Sequence, residues 1–74
     1  MDFDYKIVEP VAVLSSAGTV SKELNLVSYN GSPAKWDLRS WKRTEQGEKL
    51  LKGLTLTGEE ASALKQALNA RADI

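Results

Sequence analysis

Lys52-Gly53-Leu54-Thr55-Leu56-Thr57-Gly58-Glu59-Glu60-Ala61 is where the chain changes its period. Before Thr57 the pattern is that of a short strand, with Leu54 and Leu56 on one face. After it, Ala61, Leu64, Leu68 and Ala72 recur at helical spacing, padded by Ala63, Ala67 and Ala70. The junction reads as a capping box, with Thr57 as N-cap and Glu60 at the third helical position. Gly53 inside the strand marks a bulge or a close approach to the backbone. The helical stripe is narrow and mostly of small residues, which suits a helix packed closely on a sheet or on its own symmetry mate.

Toward the N-terminus the sequence predicts three more strands. Tyr5 to Ser15 is rich in β-formers, and Pro10 within it points to a bend or an edge position, since proline cannot donate to a ladder. Ser16-Ala17-Gly18-Thr19 is turn chemistry. Lys22 to Asn30 alternates, with Leu24 and Leu26 on one side and Asn25, Val27 and Tyr29 on the other. Asn30-Gly31 signals a hairpin, lengthened by Ser32-Pro33. Lys35 to Lys42 alternates again: Trp36, Leu38 and Ser40 face one way; Lys35, Asp37, Arg39 and Trp41 the other. Arg43 to Leu51 is polar and reads as a loop, and Lys52 to Thr57 as the fourth strand. The order ββββα predicts an α+β fold with a four-stranded antiparallel sheet and one C-terminal helix. One helix covers one sheet face. Trp36, sharing its side with Leu38, belongs to the core, and the Trp41 side is left open.

The 74 residues show no repeat or linker and read as a single domain over 1–74. A chain this short buries only about 60% of its unfolded surface. It has no cysteine and no histidine, so disulfides are impossible and a structural zinc site is nearly excluded. Association with a second copy is the remaining support, hence an expected homodimer. No metal or cofactor is implied. Met1-Asp2-Phe3-Asp4 has no basic signal-peptide region, and the longest apolar run, Val11-Ala12-Val13-Leu14, is far too short for a bilayer. The expected location is cytoplasmic. Catalysis lacks a histidine, a cysteine nucleophile and a phosphate loop, so no enzyme is expected.

Net charge is zero, but residues 35–52 carry six cations against three carboxylates. Segregation of this kind focuses a field on one face. Lys35, Arg39 and Trp41 share a strand face at about 6.6 Å per two residues, close to the spacing of phosphates on an extended strand. Cations that track a backbone beside rings that stack on bases make a single-strand binding surface, which Tyr29 joins across the hairpin. The competing reading has Trp41 plugging the core or a dimer seam, and Arg39 paired with Asp37 or Glu45.

Asp37-Leu38-Arg39-Ser40-Trp41, the loop with Glu45-Gln46-Gly47-Glu48, then Lys52-Gly53-Leu54-Thr55-Leu56-Thr57 and an acidic helix start resemble the transcriptional positive cofactor 4 family. Glu23 to Gly31 and Pro33-Ala34-Lys35 are similar to its short bacterial branch of the YdbC type, and the likeness covers residues 5–70. It implies a homodimer of ββββα subunits with curved sheets that bind single-stranded DNA with little sequence preference. By position it implies backbone contacts from Arg39 and Lys52, and places Trp41 in an aromatic pair. Here Trp41 is followed by Lys42, and the turn at Ala17 to Val20 lacks the family's aromatic. The serine-rich regulatory tail is also absent.

The resulting expectation is a non-enzymatic single-stranded DNA-binding homodimer acting in transcription regulation, replication or repair. Lys22, Lys35, Arg39 and Lys52 contact phosphates, Trp41 and Tyr29 stack on bases, and Asn25 supplies hydrogen bonds. The alternatives are a protein-interaction module or transcription cofactor docking a protein, and a single-stranded RNA binder.

Overall fold

A computed structural model describes residues 3–74. Strand β1 spans Tyr5–Ala17, β2 Val20–Tyr29, β3 Lys35–Thr44 and β4 Gly47–Leu56, and helix α1 spans Gly58–Asn69. The strands form one antiparallel sheet in the order β1-β2-β3-β4. The ββββα order read from the sequence is the order found. The β2–β3 turn uses left-handed backbone at Asn30 (φ 52°) and Gly31 (φ 77°), the two residue types that adopt it most readily.

Residues 43–51, expected as a loop, instead complete a hairpin. The chain reverses at Glu45-Gln46, and β4 begins at Gly47 rather than Lys52. The polar run misled because its charges face each other: Arg43 lies opposite Glu48 in the ladder, and its Nε donates to Glu48 Oε1 at 2.8 Å. Cross-strand pairing of opposite charges stabilises a sheet that has no apolar pattern to show.

The sheet bends far more than a simple twist. Tyr5 lies opposite Tyr29 and Trp41 opposite Ser21, eight residues apart along β2, which is roughly 26 Å of straight strand. Yet the Tyr5 and Trp41 rings are 5.6 Å apart. The Tyr5 hydroxyl also donates to Glu48, at the diagonally opposite corner of the sheet. Bulges supply the bend. In β1 the residues Val8, Val11 and Leu14 have no partner on β2, and β4 carries one extra residue between Gly53 and Leu50 against Arg39 and Trp41. The side bearing Asn25, Val27, Asp37 and Trp41 is therefore concave, and the side bearing Leu24, Leu26, Trp36 and Leu38 convex.

This inverts the expected burial. Trp41 is 0% exposed and Trp36 only half-buried. The strand faces were assigned to the right sets of residues, but the curled face closes on its own side chains without a helix to cover it. Helix α1 lies over the convex face, touching β3 and β4. Its capping box is formed as expected: Glu60 N–H donates to Thr57 Oγ1 at 3.1 Å and Thr57 N–H to Glu60 Oε1 at 2.8 Å. The helix ends at Asn69, so Ala72 lies beyond the stripe. Between helix and sheet runs a cleft of about 600 Å³, lined by Val11, Leu24, Trp36, Leu56, Leu64 and Leu68 among others.

Gly53 meets the expected close approach. A Cβ there would stand 2.0 Å from Arg39 Cβ and 2.6 Å from Arg39 Cα. Because backbone as well as side chain must yield, Gly53→Ala is expected to destabilise the fold by about 1–3 kcal/mol or more. Urea denaturation measures this, and unchanged stability would mean the β3–β4 ladder is looser at Arg39 than described.

Candidate nucleic-acid interface

The concave face is a network of rings and ion pairs. Asp37, wholly buried, receives Arg39 Nε at 2.8 Å and Nη2 at 2.9 Å, and the Tyr29 hydroxyl at 2.6 Å. Arg39 Nη1 donates to the Leu51 carbonyl at 3.0 Å, and its guanidinium lies 5.8 Å from the Tyr29 ring centre. Burial, then the hydrogen bond to Asp37, pushes the Tyr29 hydroxyl up to about 12. The hydrogen bond to Asp37 holds the Arg39 guanidinium charged more firmly than usual.

At the other end of this face Arg43 bridges two carboxylates. Its Nη1 and Nη2 donate to Glu23 and its Nε to Glu48. The Arg43 bond is the main cause that lowers Glu23 to about 2, with help from Ser21 and Asn25 against the cost of burial. The Tyr5 hydroxyl, then Arg43, holds Glu48 below its ordinary range. Arg43 also stands 5.1 Å from the Trp41 ring centre. Among the described residues, Trp41 Nε1 is the one buried side-chain polar atom without a partner.

The seven residues expected to form a site divide between the two faces. Asn25, Tyr29, Lys35, Arg39 and Trp41 fall on the concave side by alternation and ladder position. Asn25 is 1% exposed and donates to Glu23 at 3.2 Å, so it turns inward. Trp41 is covered, and Arg39 is held by Asp37, the pairing that the competing reading of the sequence described. Of these five, only Lys35 stands in solvent, at the start of β3.

Lys22 and Lys52 come together on the convex side, lining a depression of about 380 Å³ with Leu38, Arg39, Ser40 and Gly53. Two lysines not singled out from the sequence join them. Lys42 follows Ser40 on the convex alternation and lies directly opposite Lys49. Lys42 was legible from its parity with Ser40. Lys49 was hidden in the supposed loop. None of these four has a carboxylate within 4.0 Å among the described residues.

Asp37 is the anchor of the concave network. Removing it strands a guanidinium and a hydroxyl in a poorly hydrated place, so Asp37→Ala should cost about 3–5 kcal/mol. Equilibrium unfolding measures the loss, and a cost below about 1 kcal/mol, typical of a surface pair, would contradict the described burial.

Among the described residues no helix is long and apolar enough to cross a membrane, and no group of three or more potential metal ligands assembles. No family model matches the chain. It is similar to an uncharacterized protein of Treponema pallidum (strain Nichols), 41% identical over 69 residues that make up 92% of this chain and 79% of that one.

Proposed function

The chain belongs to one family with that Treponema pallidum protein, and we propose that it is a non-enzymatic, homodimeric single-stranded DNA-binding protein of the positive cofactor 4 type, whose phosphate contacts lie on the convex lysines. The observation that carries this reading is Lys42 directly opposite Lys49, with Lys22 and Lys52 beside the neighbouring depression. Like charges directly opposite one another destabilise a sheet. A polyanion laid across them removes the repulsion and releases counterions. The ββββα order is also the one that the resemblance to the positive cofactor 4 family implies.

Arg39 is unsuited to the same task. A phosphate reaching Arg39 must first displace Asp37, a buried carboxylate with no exit to water. A binding role rather than a catalytic one also suits the titrating groups. Glu23 and Glu48 are held ionised by Arg43 and Tyr5, away from the near-neutral values that general acid–base work needs.

The second copy belongs on the helix side. Val11, Leu64 and Leu68, which line the convex cleft, are 42–48% exposed, and Leu54 on the same sheet face is 52% exposed. A contiguous apolar surface of this kind marks an interaction site, and a symmetric partner fills the cleft with matching side chains. Leu64→Glu with Leu68→Glu should yield a monomer in sedimentation, whereas the parent sediments as a dimer whose melting temperature rises with concentration. A parent that is monomeric at micromolar concentration would sink the homodimer.

Oligo-dT titrations at several salt concentrations test the binding surface. For single strands the slope of log affinity against log salt is about −0.7 per phosphate contact. Replacing both Lys42 and Lys49 by Gln should flatten it by about 1.4 per subunit engaged. Arg71→Gln, past the end of α1 and outside the cleft lining, should leave it unchanged. Salt-insensitive binding would point to a protein ligand, equal affinity for duplex would mean an unselective basic patch, and preference for oligo-U would make RNA the ligand.

A further inference from the structure

We propose that Tyr5, Arg43 and Glu48 form a latch that closes the concave face over Trp41 and can open without unfolding the sheet. The inference goes beyond DNA binding and does not depend on it. Trp41 has no accessible surface, yet its Nε1–H meets no acceptor, so what covers the ring does not satisfy it. The cover comes from distant parts of the chain. Tyr5, at the start of β1, lies 5.6 Å from the ring, and Arg43, at the end of β3, lies 5.1 Å from it. They are joined through one carboxylate, Glu48, which accepts from both.

The fastenings are superficial although the ring beneath them is buried. The Arg43 side chain is 41% exposed and that of Glu48 33%. Arg43 and Glu48 are neighbours in the β3–β4 ladder, but the Tyr5–Glu48 contact joins opposite corners of the sheet by side chains alone. Local opening of such poorly buried contacts costs far less than global unfolding. Below the latch, β1 stays tied to the β2–β3 turn: Asn30 N–H donates to the Asp4 carbonyl at 2.8 Å, and Asp4 N–H to Asn30 Oδ1 at 2.9 Å. The backbone at the start of β1 therefore stays paired to β2 at Tyr5 and Lys6, and opening is a swing of the Tyr5 and Arg43 side chains. Opening bares the Trp41 ring and frees its Nε1–H for an acceptor. An anion that draws Arg43 off its two carboxylates would work the latch.

Acrylamide quenching in a Trp36→Phe background, where Trp41 is the sole tryptophan, reads the opening directly. Glu48→Gln and Tyr5→Phe should each raise the quenching constant about threefold or more while far-UV circular dichroism stays native, as local opening requires. Lys49→Gln, next to Glu48 but on the opposite face, should leave quenching unchanged. Folded Glu48 and Tyr5 variants that quench like their parent would overturn the latch.

Acid titration of the Trp36→Phe chain guards against variants that fail to fold. Glu48 is faced by Tyr5 from β1, Glu23 from β2 and Arg43 from β3. Its carboxyl lies below the ordinary 4.5, so its contribution is complete above that pH and is lost as pH falls through the lowered value. Glu23, at about 2, stays ionised longer. Quenching should therefore rise on acidification before native circular dichroism is lost. A rise only together with that loss would mean the cover is part of the cooperative fold, and the latch would fall.

Discussion

Tyr5 and Glu48 sit at diagonally opposite corners of a four-stranded sheet, and their hydrogen bond measures how far that sheet is curled. Bringing the corners together requires the convex side to be longer than the concave one. The unpaired Val8, Val11 and Leu14 supply the length on β1, and the extra residue near Leu51 supplies it on β4. The curl then divides the molecule into two surfaces of different chemistry. The concave one shuts on its own rings and charges, whereas the convex one spreads its leucines beneath a helix that leaves a cleft.

Cations are divided by type. Arg39, Arg43 and Arg71 are all in ion pairs, while no lysine has a carboxylate within 4.0 Å among the described residues. The guanidinium fork holds a carboxylate with two fixed donors, which suits it to tie one strand to another in partly buried places. The ammonium of lysine is more strongly hydrated and stays in solvent. Local charge density on this neutral chain therefore comes from lysines: Lys22, Lys42, Lys49 and Lys52 gather on the convex side, while Lys35 stands on the concave one.

The concave interior is small and largely polar. Val27 and Trp41 are its fully buried apolar side chains, beside buried Glu23, Asn25 and Asp37. A buried ion-pair network specifies geometry more than it adds stability. The apolar burial that a chain of this length needs is left incomplete on the convex side, where Leu54, Leu64 and Leu68 remain near half exposed. A shortage of core and an uncovered cleft are thus two aspects of the same curl.

Local chemistry was legible in the sequence. The capping box at Thr57 and Glu60, the Asn30-Gly31 turn, the alternation that sorts Trp36 from Trp41, and the constraint on Gly53 each depend on residues close in the chain or on one strand's parity. Charge hid the start of β4, because Arg43 and Glu48 stabilise a hairpin through each other rather than through an apolar pattern. Alternation told which residues share a face, but only tertiary structure decided which face closes. That choice depends on curvature, and curvature arises from bulges in register between strands, a relation between two segments that neither contains alone. Hence Trp41 and Asn25 were expected at a surface and lie in the interior, Arg39 is half-buried against Asp37, and Lys42 and Lys49 became neighbours only when the hairpin formed.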